Sequence, residues 1–197
     1  MDKVLVRILD TKSLDLEDIL SNKYLNEKDV LESLKYLKVE SKKERAAAIA
    51  LRNKYIGKCF YSSKGKPLSK TKFFNISHSK GIVALATTNK DVGLDIEVIR
   101  PIDKKLKDFV SSKEEKKRIH DDESFLMVWT NKESLLKCLG QGIKMKMDKV
   151  PALPFDNIKF YDGSYVYSKT VTYNGVVITV TRVSDEPFEI EIKEETL

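Results

Sequence analysis

The sequence has few of the residues that cross-link or interrupt a fold. Its 197 residues include two cysteines, five prolines, eight glycines and one tryptophan. Cys59 and Cys138 have neither the spacing of a metal site nor that of a redox motif, so we expect both to be reduced, buried and inert. Stability must then come from the core, and a chain of this length can bury about 70% of its unfolded surface.

Long hydrophobic runs are also missing. No apolar run approaches the roughly 18 residues of a membrane span. Charged residues at Asp2, Lys3 and Arg7 interrupt the N-terminus where a secretory signal needs an apolar stretch. The apolar content of 41% excludes general disorder. We therefore expect a soluble cytoplasmic protein that makes no membrane contact.

Charge of one sign is only slightly in excess. The chain has 36 basic and 30 acidic residues, a formal net charge of +6. This balance suits an anionic ligand or an acidic partner. A nucleic-acid-binding module is the alternative, but it requires basic residues gathered on one face with exposed aromatics. Acidic residues are mixed through every basic segment, so we expect no nucleic acid partner.

The hydrophobic periodicity changes twice along the chain. Helices are predicted at residues 26–38, from a Ser41–Glu44 capping box to Gly57, and for about four turns from Ser124 to Gly140 and Gly142. Strands are predicted at residues 4–9, 73–77, 82–88, 92–98, 165–173, 176–183 and 188–192, with a hairpin turn at Asn174-Gly175. Helices followed by strands, twice over, predict an α+β pseudo-dimer. Its halves, residues 1–92 and 93–197, would each pack helices on a small antiparallel sheet.

Two carboxylates lie side by side on the predicted strand at residues 92–98. Alternate residues of a strand share a face, so Asp95 and Glu97 point away from the core together. Adjacent carboxylates repel each other unless a cation lies between them, and carboxylate oxygens suit Mg²⁺. A solvated acidic face is the structural alternative.

The helix that follows carries a second group of polar residues. Trp129, Glu133 and Lys137 are spaced four apart and share a face, with Lys132 one residue away from it. An ordinary surface pair between Glu133 and Lys137 is the structural alternative.

A third segment contains one of only two histidines. Gly65-Lys66-Pro67 precedes a strand that ends in Ser77-His78-Ser79. A histidine at a strand end beside hydroxyls can hold a phosphate, although a lone histidine is more often a structural residue.

Together, in this order and spacing, the three segments resemble the surfactin-synthetase-activating class of 4′-phosphopantetheinyl transferases. The matching residues are Gly65-Lys66-Pro67, Phe74-Asn75-Ile76-Ser77-His78-Ser79, Val92-Gly93-Leu94-Asp95-Ile96-Glu97 and Phe125-x3-Trp129-x2-Lys132-Glu133-Ser134-x2-Lys137. The resemblance implies a pseudo-dimer with its active site between the halves. It also implies an enzyme that moves phosphopantetheine from coenzyme A to a serine of an acyl or peptidyl carrier protein, releasing adenosine 3′,5′-bisphosphate.

The resemblance also implies a metal centre. Asp95, Glu97 and Glu133 would hold Mg²⁺, or Mn²⁺ in its place, against the pyrophosphate. Glu133 would also be the general base for the serine hydroxyl, directly or through a metal-bound water. Lys137 would offset phosphate charge, so Asp95, Glu133 and Lys137 are the expected catalytic residues.

Coenzyme A contacts follow from the same resemblance. His78 would contact the phosphates, Ser77 and the Lys66-Pro67 backbone would border the adenine, and Arg45 would contact the 3′-phosphate. Lys132 and Lys137 would face the pyrophosphate. The lysine-rich residues 104–122 would grip an acidic apo carrier protein. We expect a monomer, and a catalytically inactive scaffold that binds carrier proteins is the alternative function.

Overall fold

The fold is mixed α+β, as predicted. A computed structural model of the protein describes residues 2–142, 146–152 and 157–197. The helices are α1 (Leu16–Leu20), α2 (Glu27–Leu34), α3 (Val39–Tyr55), α4 (Lys104–Val110), α5 (Lys113–Lys116) and α6 (Asp122–Leu139), with a short 3-10 turn at Met147–Lys149. The strands are β1 (Asp2–Asp10), β2 (Phe60–Tyr61), β3 (Pro67–Leu68), β4 (Phe73–Ser79), β5 (Ile82–Thr88), β6 (Val92–Val98), β7 (Asn157–Tyr161), β8 (Ser164–Tyr173), β9 (Val176–Val183) and β10 (Phe188–Glu194).

Two four-stranded sheets carry the fold. The first has the strand order β10-β1-β5-β4 and the second β6-β9-β8-β7. The second sheet is antiparallel throughout. In the first, β10 runs parallel to β1, with Asp2 opposite Phe188. The prediction of antiparallel sheets is therefore wrong for the first sheet, because β10, from the far end of the chain, pairs with β1 in the parallel direction. The division into residues 1–92 and 93–197 stays a prediction, and β10 crosses it.

Helix boundaries differ from the sequence prediction at three places. The predicted helix at residues 26–38 ends at Leu34. Helix α3 begins at Val39, so Ser41 lies inside it and does not cap it. The N-cap of α6 is Asp121, whose side chain accepts a hydrogen bond from the Ser124 backbone. Ser124 thus takes part in a capping box three residues inside the helix, because both residue types suit a helix start.

Buried apolar residues form three clusters. One lies between the two sheets and is built from alternate residues of β1, β5, β6 and β9, among them Val6 and Ile96. The others lie beneath α3 and beneath α6. Cys138 is buried, and this burial raises the pKa of its thiol to about 12, whereas Cys59 is partly exposed. No helix of the described ranges is both long and apolar enough to cross a bilayer.

Side chains of β4 join the two sheets at their edges. Asn75 Oδ1 accepts a hydrogen bond from the Leu94 amide at 2.9 Å. Ser77 Oγ and Ser79 Oγ accept from the amides of Ile96 and Val98, each at 3.3 Å. These three acceptors lie two residues apart, so one face of β4 satisfies the outward amides of β6. We call this row of hydrogen bonds the β4–β6 seam.

Helix α6 lies directly on β6 at a glycine. A Cβ atom added to Gly93 would lie 1.9 Å from the Ser134 carbonyl oxygen and 2.4 Å from the Cys138 amide nitrogen. Hydroxyl pairs also fix the helix to β9, at 2.7 Å between Thr130 and Thr179 and 2.7 Å between Ser134 and Thr181. The helix can therefore approach the strand only because residue 93 has no side chain.

We expect Gly93→Ala to destabilise the fold by about 3 kcal/mol, the upper end of the usual cost of overpacking, because the new methyl group meets backbone that cannot move independently. Urea unfolding monitored at Trp129 measures the loss. Gly175→Ala is the control: its site is open, so the expected cost is the left-handed backbone strain alone, about 1–2 kcal/mol. Equal losses for the two variants would contradict this account of α6 packing.

Candidate active site

Three predicted site residues meet where the β4–β6 seam passes under α6. Lys137 Nζ lies 2.6 Å from Asp95 Oδ1 and 3.2 Å from Ser77 Oγ. The Ser77 hydroxyl donates to the same Asp95 oxygen at 2.9 Å. One residue from each of β4, β6 and α6 thus contributes to a single polar cluster, and the seam sets the distance between the strands.

Two buried carboxylates in this cluster have oxygens without partners. Asp95 Oδ2 and Glu133 Oε1 are inaccessible to solvent and accept no hydrogen bond within the described residues. Burial raises the pKa of Asp95, although the Lys137 ammonium opposes the shift. Burial also raises the pKa of Glu133, and the nearby charge of Asp95 adds to it. Buried anionic oxygens with no donor are costly unless a cation is supplied. These two oxygens therefore fit a divalent metal.

Glu97 is placed differently from the other two predicted metal ligands. It accepts a hydrogen bond from Ser79 Oγ at 2.5 Å and forms an ion pair with Arg100 at 2.6 Å. Across residues 2–142, 146–152 and 157–197, no three potential metal-ligating side chains lie close enough to share an ion. The structure therefore brings Asp95 and Glu133 together but leaves Glu97 occupied by Arg100.

A cavity of about 380 Å³ opens beside Glu133 and Lys137. The predicted coenzyme A residues Arg45, Lys66, Pro67 and His78 also line it. Ser77 lies behind Lys137 and is not among the lining residues. Polar lining residues that were not predicted as site residues are Arg52, Tyr61, Lys64 and Asn75. Arg52 follows Arg45 by seven residues, or two helical turns, on the same face of α3.

The cationic side chains of the cavity are held by neighbours. Arg45 pairs with Glu32 of α2. His78 Nδ1 lies 2.9 Å from Glu44 Oε2, which leaves Nε2 as the nitrogen that a ligand can reach. Lys66 points its amine away from the predicted adenine site, because Nζ donates to the Cys138 carbonyl at 2.6 Å and to Asp91 at 3.0 Å. Its stem lines the cavity while its charge caps the end of α6.

Lys132 does not face the cavity, which corrects the prediction that it would face a pyrophosphate. Its side chain is fully buried. Its ammonium donates to the Val110 carbonyl at 2.8 Å, to Glu115 Oε2 at 2.7 Å and to the Met147 carbonyl at 2.8 Å. All three protons are used on a side of α6 other than the one that carries Glu133. A rotation of about 100° per residue separates its direction from that of Glu133.

Residues 91–175 match the model of the family described as the 4′-phosphopantetheinyl transferase superfamily. This interval contains β6 and α6, which supply Asp95, Glu133 and Lys137. The resemblance predicted from the motifs is confirmed.

Curated members named as 4′-phosphopantetheinyl transferases match parts of the chain. The chain is 38% identical over 79 residues to gsp of Aneurinibacillus migulanus, over 36% of the chain and 32% of that protein. It is 32% identical over 115 residues to HetI of Nostoc sp., over 50% of the chain and 48% of that protein. It is 33% identical over 81 residues to Sfp of Bacillus subtilis, over 38% of the chain and 36% of that protein. The chain thus matches about a third to a half of the length of these phosphopantetheinyl transferases.

We expect the Glu44 carboxylate, which orients His78, to contribute a pH-dependent part of the stability. Burial acts to raise its pKa, but the hydrogen bonds with His78 and with the Gly81 amide outweigh burial and hold the pKa below its usual range. A lowered carboxyl pKa stabilises the fold above the unfolded value, and this stability is lost as pH falls through the folded value. Glu44→Gln should therefore cost about 1–2 kcal/mol at pH 7.

The measurement is urea unfolding of both proteins between pH 7 and pH 3. The difference in unfolding free energy should shrink as the pH falls through the lowered pKa of Glu44. The control is Glu114→Gln, because Glu114 is exposed and we expect a change below about 0.5 kcal/mol. A difference that grows as pH falls would contradict the role given to Glu44.

Proposed function

We propose that the protein transfers 4′-phosphopantetheine from coenzyme A to a serine of an apo acyl or peptidyl carrier protein. The observation that carries the proposal is the pair of buried carboxylate oxygens without partners, on Asp95 and Glu133, beside a cavity lined with cations. An enzyme of this class handles a pyrophosphate and needs charge neutralisation and in-line positioning more than covalent chemistry. The family match over β6 and α6 supports the same function.

Coenzyme A fits the charge and shape of the cavity. Its phosphates would contact Arg45, Arg52 and His78 on one side and Lys137 on the other. Arginine and histidine bind phosphate oxygens by charge-assisted hydrogen bonds. The adenine would lie against the apolar surface of Ile49, Ile76 and Pro67. The remaining lining residue with a ring, Tyr61, is 58% exposed at the entrance.

The divalent metal would be held by Asp95 Oδ2 and Glu133 Oε1. Mg²⁺ accepts few protein ligands and completes its shell with phosphate oxygens, so two carboxylates are sufficient; Mn²⁺ is the alternative ion. Glu97 becomes available as a third ligand only when Arg100 releases it. When bound, the metal neutralises the pyrophosphate and orients it.

The chain's own residues serve the transfer as follows. The serine oxygen attacks the β-phosphorus of coenzyme A, and the bond from that phosphorus to the bridging oxygen breaks, so adenosine 3′,5′-bisphosphate leaves. Glu133 accepts the serine proton, and burial moves its pKa toward the range in which a carboxylate is an effective base. Lys137 would offset the charge that develops on the leaving phosphate, since it lines the cavity and its ammonium lies 2.6 Å from Asp95.

The carrier protein would dock on the outer face of α4 and α5, which we call the α4–α5 surface. Leu106 and Phe109 are 39% and 66% exposed there. Several lysines of the predicted basic segment are neutralised locally, for example Lys107 by Asp122 at 2.6 Å. Lys105 and Lys113 are exposed and form no ion pair within the described residues. An apolar patch with cations beside it suits an acidic amphipathic helix.

The two four-stranded sheets, each covered by helices, support a pseudo-dimer whose active site lies between the halves. The monomeric state and the cytoplasmic location stay predictions. A catalytically inactive scaffold that binds carrier proteins is the second candidate, although Asp95, Glu97 and Glu133 are all retained.

We expect an apo carrier protein incubated with this protein, coenzyme A and Mg²⁺ to gain the mass of one phosphopantetheine, and EDTA to abolish the gain. Asp95→Asn and Glu133→Gln should each lower kcat at least about 10²–10³-fold, because each removes an anionic oxygen facing the metal and pyrophosphate. Intact-mass spectrometry of the carrier over time measures both effects.

Fatty-acid and peptide-synthetase carriers are tested in parallel, and circular dichroism confirms that each variant is folded. A wild-type protein that binds coenzyme A but modifies no carrier would favour the scaffold. Normal turnover by either carboxylate variant would refute the metal assignment.

We expect His78→Ala to weaken coenzyme A binding more than it slows transfer, because His78 lines the cavity away from the carboxylates. Loss of one charge-assisted hydrogen bond corresponds to about a tenfold rise in the KM for coenzyme A. His120→Ala is the matched control, since His120 is exposed and lies outside the cavity. An unchanged KM for His78→Ala would remove His78 from the binding site.

A further inference from the structure

A buried ion pair lies on the side of α6 that faces away from the cavity. Lys132 is fully buried and spends its three protons on the end of α4 (Val110), on α5 (Glu115) and on the 3-10 turn (Met147). Glu115 is itself fully engaged. Its Oε1 accepts from the Ala152 amide at 2.9 Å, and its Oε2 accepts from the Ser112 amide at 2.7 Å. One ion pair therefore ties four separate backbone segments to α6.

This arrangement is more than a means of stabilising the fold. Replacing a buried ion pair with apolar residues is often neutral or stabilising, so the pair is weak evidence for stability. A buried lysine does fix the relative positions of the segments around it, because its three donors require three acceptors in fixed positions. The acceptors lie on the segments that form and support the α4–α5 surface, and the donor precedes Glu133 on the same helix.

We propose that Lys132 is a positioning residue that holds the α4–α5 surface at a fixed place relative to Glu133, and that Glu115 is its partner in this role. The proposal rests on the proposed function, since that surface is where the carrier protein would dock. The proposal gives Lys132, the lysine next to Glu133 in the family motif, a role other than phosphate contact. A carrier protein bound to this surface presents its serine to Glu133 only if the surface is held at the right distance and orientation from Glu133.

The test separates carrier recognition from coenzyme A binding. For Lys132→Met we expect the KM for the apo carrier to rise about tenfold or more, while the Kd for coenzyme A stays within twofold. The matched control is Lys137→Met on the same helix, which should raise the Kd for coenzyme A. Weaker coenzyme A binding by Lys132→Met, with an unchanged carrier KM, would overturn the proposal.

A milder variant keeps the proposal testable if Lys132→Met folds poorly. Glu115→Gln retains the shape and one acceptor oxygen, so we expect a smaller rise in carrier KM in the same direction. Hydrogen exchange measured by mass spectrometry should show faster amide exchange in residues 104–116 for both variants, with β4 and β6 unchanged. A uniform rise in exchange across the protein, or a wild-type carrier KM in Glu115→Gln, would show that the pair only stabilises the fold.

Failure of the proposed function gives a different result. If the wild-type protein modifies no carrier, transfer is refuted, and the exchange measurement with coenzyme A titration still decides whether Lys132 holds the α4–α5 surface. Local loss of protection with intact coenzyme A binding supports that role, and unchanged protection in residues 104–116 overturns it.

Discussion

The β4–β6 seam is the interaction on which the rest of the structure depends. An edge strand such as β6 exposes a row of amides that must find acceptors. Asn75, Ser77 and Ser79 supply them from one face of β4 and so join two sheets without a backbone ladder. The same serine hydroxyls donate to Asp95 and Glu97. The same two serine side chains therefore satisfy amides at the edge of one sheet and hold the carboxylates of the site.

Helix α6 packs against that seam and brings the charge of Lys137 to it. Because residue 93 is a glycine, α6 packs closely on β6, and this close packing buries Asp95 and Glu133 within one polar cluster. Lys137 is the only ammonium group that contacts the Asp95 carboxylate within the described ranges, so the cluster retains excess negative charge. The neighbouring cavity has the opposite sign. An anionic ligand and a cation bound between it and the carboxylates would satisfy both, which is why the two features favour the same kind of chemistry.

The sequence pattern predicted the elements whose conformation depends on neighbouring residues. The hairpin at Asn174-Gly175, the end of α6 at Gly140, and strands β5 and β6 need only neighbouring residues. The pairing of β1 with β10 could not be predicted, because it joins residues almost a chain length apart. At the site, the family resemblance implied that Asp95, Glu133 and Lys137 come together, and Lys137 does contact Asp95. The resemblance could not reveal that Lys132 finds three acceptors elsewhere or that Arg100 takes Glu97, since both depend on tertiary neighbours.

The parallel pairing of β10 with β1 also sets the order in which the molecule can be completed. In translation β1 leaves the ribosome before residues 188–194, so its outer edge has no partner until those residues are made. Strands β7, β8 and β9 of the second sheet are synthesised before β10 can complete the first sheet. Pairing over so long a sequence separation slows folding. Until β10 pairs with it, the outer edge of β1 is exposed to aggregation and offers a chaperone a place to bind.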